Sequence, residues 1–235
     1  MSHTIIEGVD RLGKGTLIEG LKNASGALAC IHYEKPLLLE VYVQQATHML
    51  SGHDEPASSA EVSRLALELY QRDSFALMFN MLSNVGVGLV LDRAHLGEMV
   101  YAKRYRGYDG SYVFALETTA GAISVAKDLL ILLVASDLSY LEDDGLSFDF
   151  NKRQEEQDDF IKAFESSSYH NKMMIDVTLR NGNTGHEGES LHTHAPPDDI
   201  LTAVLNLRSL NKPQKISFTS TLGTVTATSE LIYNS

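Results

Sequence analysis

Three short, mainly apolar segments predict buried β-strands. Each segment ends at or just before Gly, Asp or Ser, residue types that favour turns. Continuous apolar runs are typical of strands in a parallel sheet that is covered on both faces, because such strands have no solvent-facing side. The three segments are Thr4 to Glu7, Gly88 to Asp92 and Leu129 to Ala135.

Stretches with apolar residues at helix spacing lie between these strands. In the longest, Ser59 to Leu82, residues such as Val62, Leu65, Leu69 and Leu77 predict one buried face. The alternation of strands and helices predicts an α/β protein built from βαβ units. The other predicted helices are Gly15 to Lys22, Leu37 to Leu50, Ser111 to Ala122, about Lys152 to Phe164 and Asp198 to Leu210, and the other predicted strands are Ala29 to His32 and Met173 to Val177.

Two segments break the alternation. Arg180 to Pro197 is rich in Gly, Asn and His and has no periodicity, so we predict a flexible surface loop there. The tail from Lys212 alternates apolar residues with Ser and Thr on either side of Leu222-Gly223, which predicts a β-hairpin. We expect this hairpin at a sheet edge or at a contact between subunits.

Charge and size limit the classes of function. The 235 residues carry 19 Lys and Arg against 31 Asp and Glu, a formal net charge of −12. A field of this sign repels polyanions, so duplex nucleic acid is not an expected partner. With 43% hydrophobic residues the chain can bury an ordinary core. The single cysteine, Cys30, and the lack of a basic leader or long apolar run predict a soluble, cytoplasmic protein without membrane contact.

The segment Gly8 to Thr16 carries the strongest chemical signal. Its sequence, GVDRLGKGT, contains GxxxxGK, follows the first predicted strand and opens the first predicted helix. In such a loop glycines let successive backbone N–H groups curl around a polyphosphate, and the helix N-terminus adds positive potential. We predict that Lys14 reaches the outer phosphates. The predicted phosphate-binding residues are Gly8, Val9, Asp10, Arg11, Leu12, Gly13, Lys14, Gly15 and Thr16.

This loop resembles that of a known enzyme family. EGVDRLGKGT is similar to the phosphate loop of thymidylate kinases, in which a strand ends in Glu-Gly and an Asp-Arg pair precedes Gly-Lys. The ending Gly-Lys-Gly-Thr is similar to that of adenylate kinases, and both groups are nucleoside monophosphate kinases. Gly15 departs from the pattern, because many such loops have a Mg²⁺-binding Ser or Thr there. Thr16 is the nearest hydroxyl and a candidate metal ligand, through a water.

The resemblance extends in element order over about residues 3 to 210 and implies a fold, an activity and an assembly. The implied fold is a P-loop NTPase fold of three α/β/α layers, with a parallel sheet of about five strands. We expect one domain at 1–210, with a lid at about 136–160, and a C-terminal β extension at 211–235. The implied reaction transfers the γ-phosphoryl group of ATP, with Mg²⁺, to a deoxynucleoside monophosphate, with dTMP as the first expectation. The family also implies a homodimer.

The pair Asp92-Arg93 stands at the end of a predicted strand, beside the phosphate loop. A carboxylate there can hold Mg²⁺ or its waters, and the adjacent guanidinium offers a planar fork for phosphate. In thymidylate kinases an Asp-Arg pair has these roles, with the Arg gripping the acceptor monophosphate. The alternative is a salt bridge that caps the strand. Ala94 stands where the family usually has an aromatic residue, which affects the contacts to sugar and base.

Further candidates for the acceptor site come from the resemblance. Arg72, in LELYQRDSF, matches by position an Arg that meets the acceptor, and Tyr70 or Phe75 could stack on its base. Both aromatic residues have an alternative role in the core. Glu34, after the second predicted strand, matches a Glu-Pro turn beside the acceptor, with a Lys inserted. Asp10 resembles the loop carboxylate that faces the acceptor sugar, and its alternative role is a backbone cap.

The predicted lid is strongly acidic. Phosphoryl transfer is promoted mainly by positioning and by cations that neutralise charge on the transferring group. Some thymidylate kinases place that cation in the phosphate loop, and others place it in a basic lid. In the segment SDLSYLEDDGLSFDFNKRQEEQDD the only basic residues are Lys152 and Arg153. We therefore assign the catalytic cation to Arg11, while Arg153 is a candidate closing residue whose alternative is a solvated helix face.

Two other clusters have both a functional and a structural interpretation. A basic-aromatic cluster could bind single-stranded nucleic acid by charge and stacking, but the rim of the acceptor pocket or plain surface is favoured. It consists of Lys103, Arg104 and Arg106 with Tyr101, Tyr105 and Tyr108. A second group could bind a metal, but its spacing matches no zinc signature, so a solvated loop is favoured. It consists of His186, His192 and His194 with Glu187.

Two other functions fit the same chain. A deoxynucleoside kinase has a related fold but attacks with a neutral 5′-hydroxyl, which needs a carboxylate base that Glu34 could supply. Arg72 and Arg93 favour a substrate that already bears a phosphate. A module that binds nucleotide without turnover is suggested by Gly15, Ala94 and the tail. Relaxed base specificity, as in kinases of viral (phage) type, fits the departures near the acceptor.

Overall fold

One β-sheet organises the chain in a computed structural model, which describes residues 2–25, 29–32, 39–51, 56–141, 150–181, 192–207, 212–221 and 224–232. The strands are β1 (Thr4–Glu7), β2 (Ala29–His32), β3 (Leu89–Asp92), β4 (Leu129–Val134), β5 (Asn171–Asn181), β6 (His192–His194), β7 (Gln214–Thr221) and β8 (Thr224–Leu231). Their order is β2-β3-β1-β4-β5-β7-β8, and β6 pairs with β5. The neighbours from β2 to β5 are all parallel.

Helices cover both faces of this sheet. Side chains alternate between the faces of a strand, and all six residues of β4 are buried, so neither face is open to solvent. The predicted three-layer α/β/α fold is therefore confirmed. The helices are α1 (Lys14–Ser25), α2 (Glu40–Leu50), α3 (Ser59–Asn84), α4 (His95–Tyr101), α5 (Tyr112–Thr119), α6 (Ala122–Lys127), α7 (Arg153–Ser166) and α8 (Pro197–Leu207), with a π-helical turn at Ala102–Arg106 and a 3-10 turn at Phe150–Lys152.

Helix α3 begins with a capping box, since Ser58 Oγ accepts from Glu61 N and Glu61 Oε2 accepts from Ser58 N. Its buried face runs through Phe75, Phe79 and Leu82. Leu77 lies off this face and is 71% exposed. The prediction that Leu77 lies on the buried face was therefore wrong, because the spacing of the large aromatic residues fixes the helix rotation.

The predicted helix from Ser111 to Ala122 corresponds to α5, which ends at Thr119, and the following helix α6, which begins at Ala122, was not predicted. They meet at Gly121, where an added Cβ would lie 2.6 Å from Cδ1 of Phe79 on α3. This close approach of helix and backbone admits only glycine, and a glycine weakens a continuous helix. The short helix α4, directly after β3, was not predicted.

A buried polar group joins α4, α5 and the turn before β5. His95 Nε2 lies 2.8 Å from Glu117 Oε1, and both side chains are fully buried. Glu117 also accepts from Ser167 Oγ at 2.7 Å and Ser168 N at 2.6 Å. Burial alone would raise the pKa of Glu117, but the hydrogen bonds from His95, Ser167 and Ser168 outweigh it and hold that pKa below its usual value.

The segment after the fifth strand is more ordered than its composition predicts. Arg180 and Asn181 end β5, which is eleven residues long, and β6 pairs antiparallel with Thr178–Arg180. The prediction of a loop over Arg180 to Pro197 was therefore wrong at both ends, because strand pairing orders residues that lack an apolar pattern. Residues 182–191 lie outside the described residues.

The tail forms the predicted β-hairpin at a sheet edge. β7 and β8 are antiparallel, and β7 also pairs parallel with β5. The hairpin therefore extends the main sheet, which has eight strands in the described part of the chain instead of about five. The long β5 permits this, because it offers a further edge for pairing.

Candidate functional site

The turn between β1 and α1 is held tightly against the sheet. Gly8, Arg11 and Gly13 have left-handed backbone angles, with φ of 133°, 70° and 79°. A Cβ on Gly8 would lie 2.5 Å from the carbonyl oxygen of Leu133 in β4, so only glycine fits there. The residues of the predicted phosphate-binding motif thus form a compact strand–loop–helix unit at the carboxyl end of the sheet, where ligands of such sheets bind.

Lys14 is the first residue of α1 and points back into this loop. Its buried Nζ donates to the carbonyl oxygens of Gly8 at 2.8 Å and Val9 at 2.6 Å. Burial lowers the pKa of Lys14 to about 8, and the positive charge of Arg93 acts in the same direction, while Asp10 partly opposes both. An entering phosphate would have to replace the two loop carbonyls as partner of this ammonium group.

Asp92 and Arg93 lie at the end of the neighbouring parallel strand. Ile6 of β1 is in register with Asp92 of β3, and Arg93 N donates to Ile6 O at 2.9 Å. The Arg93 side chain forms an ion pair with the carboxylate of Asp10, and its backbone is left-handed, with φ of 65°. The structure therefore brings together the phosphate loop and the Asp-Arg pair, as their places at adjacent strand ends predicted.

A buried glutamate beneath the loop was given no role by the sequence analysis. Glu7 Oε1 accepts from the backbone N–H of Ala94 at 2.9 Å and of Leu96 at 3.0 Å, while its Oε2 is buried without a hydrogen-bond partner. Burial raises the pKa of Glu7. The side chain ties β1 to the turn that carries Arg93. A charged residue ending an apolar strand is the signal that could have identified it, since a buried carboxylate requires donors.

A second carboxylate approaches the loop from α7. Tyr101 OH donates to Glu156 Oε1 at 2.7 Å. Burial raises the pKa of Glu156, and the nearby negative charge of Asp10 raises it further. Glu156 lies four residues before the buried Phe160, so helix spacing places it on the inner side of α7. Arg153, the predicted closing residue, begins α7 and is half-buried, and residues 142–149 of the predicted lid lie outside the described residues.

The basic-aromatic cluster forms contacts within the protein. Arg104 donates to Asp159 Oδ2 at 2.9 and 2.6 Å and so ties the π-helical turn to α7. Arg106 forms an ion pair with the buried Glu98 of α4. These contacts favour the structural interpretation over a nucleic-acid surface, because two of the cations are already neutralised. Glu98 also accepts from Gln71, Tyr108 and Tyr112, at 3.0, 2.7 and 2.9 Å.

Arg72, a predicted acceptor residue on α3, lies against Tyr112, which donates a hydrogen bond to Glu98. The Arg72 guanidinium lies 4.3 Å from the ring centroid of Tyr112 and donates to Glu68 at 3.1 and 2.7 Å. Tyr70 is half-buried on the same helix. Phe75 is buried in the core, which confirms its alternative role. Glu34 lies outside the described residues.

Of the histidine group, the structure describes the side chain of His194. Its ring lies against Gly13, since a Cβ on Gly13 would be 3.3 Å from both Cε1 and Nε2. His186 and Glu187 lie outside the described residues. Within the described ranges no three His, Cys, Asp or Glu side chains are grouped to hold a metal ion.

The oxygen ligands that suit Mg²⁺ are nevertheless present. Asp92 is half-buried close enough to Lys14 to raise its pKa, and Thr16 is exposed on the first turn of α1. Mg²⁺ usually takes one or two carboxylates and completes its shell with phosphate oxygens and waters. This donor set therefore fits a nucleotide-bound ion and does not require an all-protein cage. Among the described helices, none combines the length and apolar character needed to cross a membrane.

Comparison with known proteins gives similarity in structure alone. No protein-family model matches the sequence, and the search of curated proteins gives no match. Thymidylate kinases from Ehrlichia chaffeensis and Candida albicans align at TM-scores of 0.47 and 0.48 and 15% identity, covering 88% and 89% of this chain and 97% and 92% of theirs. The YorR protein of Bacillus subtilis, in complex with phosphorylated GDP, aligns at a TM-score of 0.51 and 16% identity over 89% of this chain and 96% of that one. None of these three bears on a viral (phage) type. The chain therefore shares the α/β fold of the nucleotide-bound YorR protein, with its own GxxxxGK loop at the carboxyl end of the parallel strands.

Proposed function

We propose that the protein is a nucleoside monophosphate kinase that transfers the γ-phosphoryl group of ATP to a deoxynucleoside monophosphate, with dTMP as the first candidate. The observation that carries this proposal is the meeting of Lys14 and its loop with Asp92-Arg93 at adjacent parallel strand ends. The fold shared with a structure that holds phosphorylated GDP supports a phosphorylated nucleotide as ligand.

The donor site is the loop of residues 8–16. Its backbone N–H groups and the N-terminus of α1 bind the polyphosphate of ATP. Lys14 exchanges its bonds to Gly8 O and Val9 O for phosphate oxygens, so its ammonium group is retained inside the site. Asp92 and Thr16 would hold Mg²⁺, which supplies positive charge to the phosphate oxygens when bound.

The acceptor site adjoins the loop on the side of β3. Arg93 offers its guanidinium to the acceptor phosphate, and the carboxylate of Asp10 that now pairs with it turns to the acceptor sugar. Arg72 and Tyr70, on α3, contact the acceptor base, and Glu34, which lies outside the described residues, is a further acceptor candidate from the family resemblance. The attacking phosphate is already ionised at neutral pH, so the site needs no general base.

The transferring group needs a cation, and Arg11 supplies it. This residue is exposed in the loop and has a left-handed backbone conformation. Charge that develops on the equatorial oxygens is stabilised by a preorganised guanidinium. Arg153 at the start of α7 is the second candidate for this role.

The test is release of ADP from ATP and Mg²⁺ with a panel of deoxynucleoside monophosphates, ribonucleoside monophosphates and free deoxynucleosides. Wild type is compared with Lys14→Ala and with the control Lys22→Ala, a partly exposed lysine of α1 that pairs with Glu19. We expect turnover with deoxynucleoside monophosphates, none in Lys14→Ala, and none with excess chelator. Turnover with free nucleosides alone would instead support a nucleoside kinase, and ATP binding without turnover would support a regulatory module.

We further propose a homodimer that acts in the cytoplasm, as the family resemblance implies. Large apolar side chains that a partner could cover include Val41 and Met49 of α2 and Leu77 of α3, which are 62%, 54% and 71% exposed. Sedimentation velocity of wild type and Leu77→Asp tests this. A monomer at all concentrations would refute the dimer.

A further inference from the structure

His194 lies beside the phosphate loop, although its sequence context predicted a solvated loop. It belongs to β6, where it pairs across the sheet with Thr178 of β5. Its ring packs on Gly13, and a Cβ at Gly13 would be 3.3 Å from Cε1 and Nε2. The edge of the ring that carries Nε2 therefore faces the residue immediately before Lys14.

The hydrogen bond of Nδ1 determines which nitrogen of the His194 ring carries the proton. Nδ1 lies 2.8 Å from the carbonyl oxygen of Ala195, and a carbonyl oxygen can only accept, so Nδ1 carries the proton. In the neutral ring Nε2 is then an acceptor. Nε2 is buried and has no hydrogen-bond partner in the described structure. A buried acceptor without a donor costs free energy, so a ligand that brings a donor gains affinity there.

The acceptor character of Nε2 in the neutral ring indicates what kind of ligand group fits it. Phosphate oxygens accept hydrogen bonds and would need the imidazolium form. Ribose hydroxyls and the amino groups of bases donate hydrogen bonds, and they fit the neutral ring. The ring of Tyr140 stands edge-on to His194, with centroids 6.4 Å apart, and helps to hold its orientation.

Lys14 and His194 contact the same loop. Lys14 Nζ now donates to Gly8 O and Val9 O, and a phosphate must replace these bonds. The loop whose carbonyl groups Lys14 now binds also contains Gly13, against which the His194 ring packs.

We propose that Nε2 of His194 accepts a hydrogen bond from the nucleoside part, a ribose hydroxyl or a base amino group, of the nucleotide whose phosphates occupy the loop of residues 8–13. The inference rests on the proposed function, because it requires a nucleotide in that loop. It makes His194 a residue that distinguishes a nucleotide from a bare polyphosphate.

The test compares the dissociation constants of ATP and of inorganic tripolyphosphate by titration calorimetry. His194→Leu removes the acceptor, His194→Gln retains one near the position of Nε2, and His170→Leu changes an exposed histidine as control. We expect His194→Leu to weaken ATP about three- to tenfold, as for loss of one hydrogen bond, and to leave tripolyphosphate within about twofold. His194→Gln restores most of the ATP affinity, and His170→Leu matches wild type.

Equal weakening of ATP and tripolyphosphate would assign the contact to phosphate and overturn the proposal, as would unchanged ATP affinity in a folded His194→Leu. Wild type that binds neither ligand would refute the proposed function itself, which is a separate outcome. If His194→Leu does not fold, the ¹⁵N shift of Nε2 in wild type decides. A hydrogen-bonded neutral acceptor on adding ATP supports the proposal, and an unchanged shift or an imidazolium form overturns it.

Discussion

The buried position of Lys14 predicts that ATP binding weakens above about pH 8. Burial removes water from the ammonium group and, with the charge of Arg93, lowers the pKa of Lys14 to about 8 from the usual 10.5. A polyphosphate binds the charged form. Below pH 8 Lys14 is therefore ready for the ligand, and above pH 8 a proton must be taken up when ATP binds.

The lowered pKa of Lys14 also sets the size of the loss in ATP affinity above pH 8. Its effect on the stability of the ligand-free fold has the opposite dependence on pH. At pH 9.5 about 3% of Lys14 keeps its proton, so the dissociation constant of ATP rises on the order of thirtyfold. In the unfolded chain the lysine holds its proton up to about pH 10.5. The lowered pKa therefore destabilises the ligand-free fold below pH 8, by about 3 kcal/mol at most. This penalty disappears as the pH rises from 8 to 10.5.

Titration calorimetry with ATP between pH 7 and 9.5 measures the first effect, and urea unfolding without ligand measures the second. Lys14→Met removes the titrating group, and Lys22→Met changes a partly exposed lysine of the same helix as control. We expect Lys14→Met to bind ATP weakly with no pH dependence and Lys22→Met to follow wild type. An ATP affinity in wild type that stays constant from pH 8 to 9.5 would refute the reasoning.

Three further predictions concern stability, each measured by urea unfolding. Gly8→Ala forces a Cβ to within 2.5 Å of Leu133 O in a left-handed backbone and should cost about 2 kcal/mol or more, whereas Gly86→Ala, in open space, should cost less than about 1 kcal/mol. Glu7→Ala leaves two buried N–H groups unpaired and should cost about 2–4 kcal/mol, with most of this recovered in Glu7→Gln. The pKa of Glu117 is held below its usual 4.5, so its contribution to stability is present above that pH and is lost as the pH falls through the lowered pKa. Glu117→Gln should accordingly be less stable at pH 7 and lose less stability on acidification.

The parallel strands could be predicted from the sequence because both of their faces are covered. β1 and β2 have the predicted bounds, and β3 and β4 differ by one residue at one end. Helix α4 gave no such signal. It buries the polar residues His95 and Glu98, which are tolerated inside because Glu117 and Arg106 are their partners. These partners are remote in sequence or belong to an irregular turn, so periodicity could not reveal them.

In the candidate site, too, the contiguous part could be predicted from the sequence, and the contacts between remote elements could not. The loop of residues 8–14 is contiguous, and its place between a strand and a helix could be predicted from the motif alone. The side chains that approach it from other elements are Glu156 of α7 and His194 of β6. The place of His194 depends on its pairing with β5 across the sheet, in a segment whose composition favours a loop. Only the folded arrangement brings these side chains to the phosphate loop.

Because Arg11 has a left-handed backbone, two substitutions at this position can distinguish the role of its side chain from that of its backbone conformation. Arg11 has a φ of 70°, a conformation that Gly adopts without strain and Ala does not. Arg11→Ala and Arg11→Gly both remove the guanidinium, so both should lower kcat on the order of 10²–10³ if it stabilises the transferring group. Arg11→Gly should nevertheless be about 1 kcal/mol more stable than Arg11→Ala, because it relieves the strained turn. Steady-state kinetics and urea unfolding of the pair check both statements. Wild-type rates in both variants would move the catalytic cation to Arg153, and equal stability of the two would show that the turn at Arg11 relaxes when its side chain is removed.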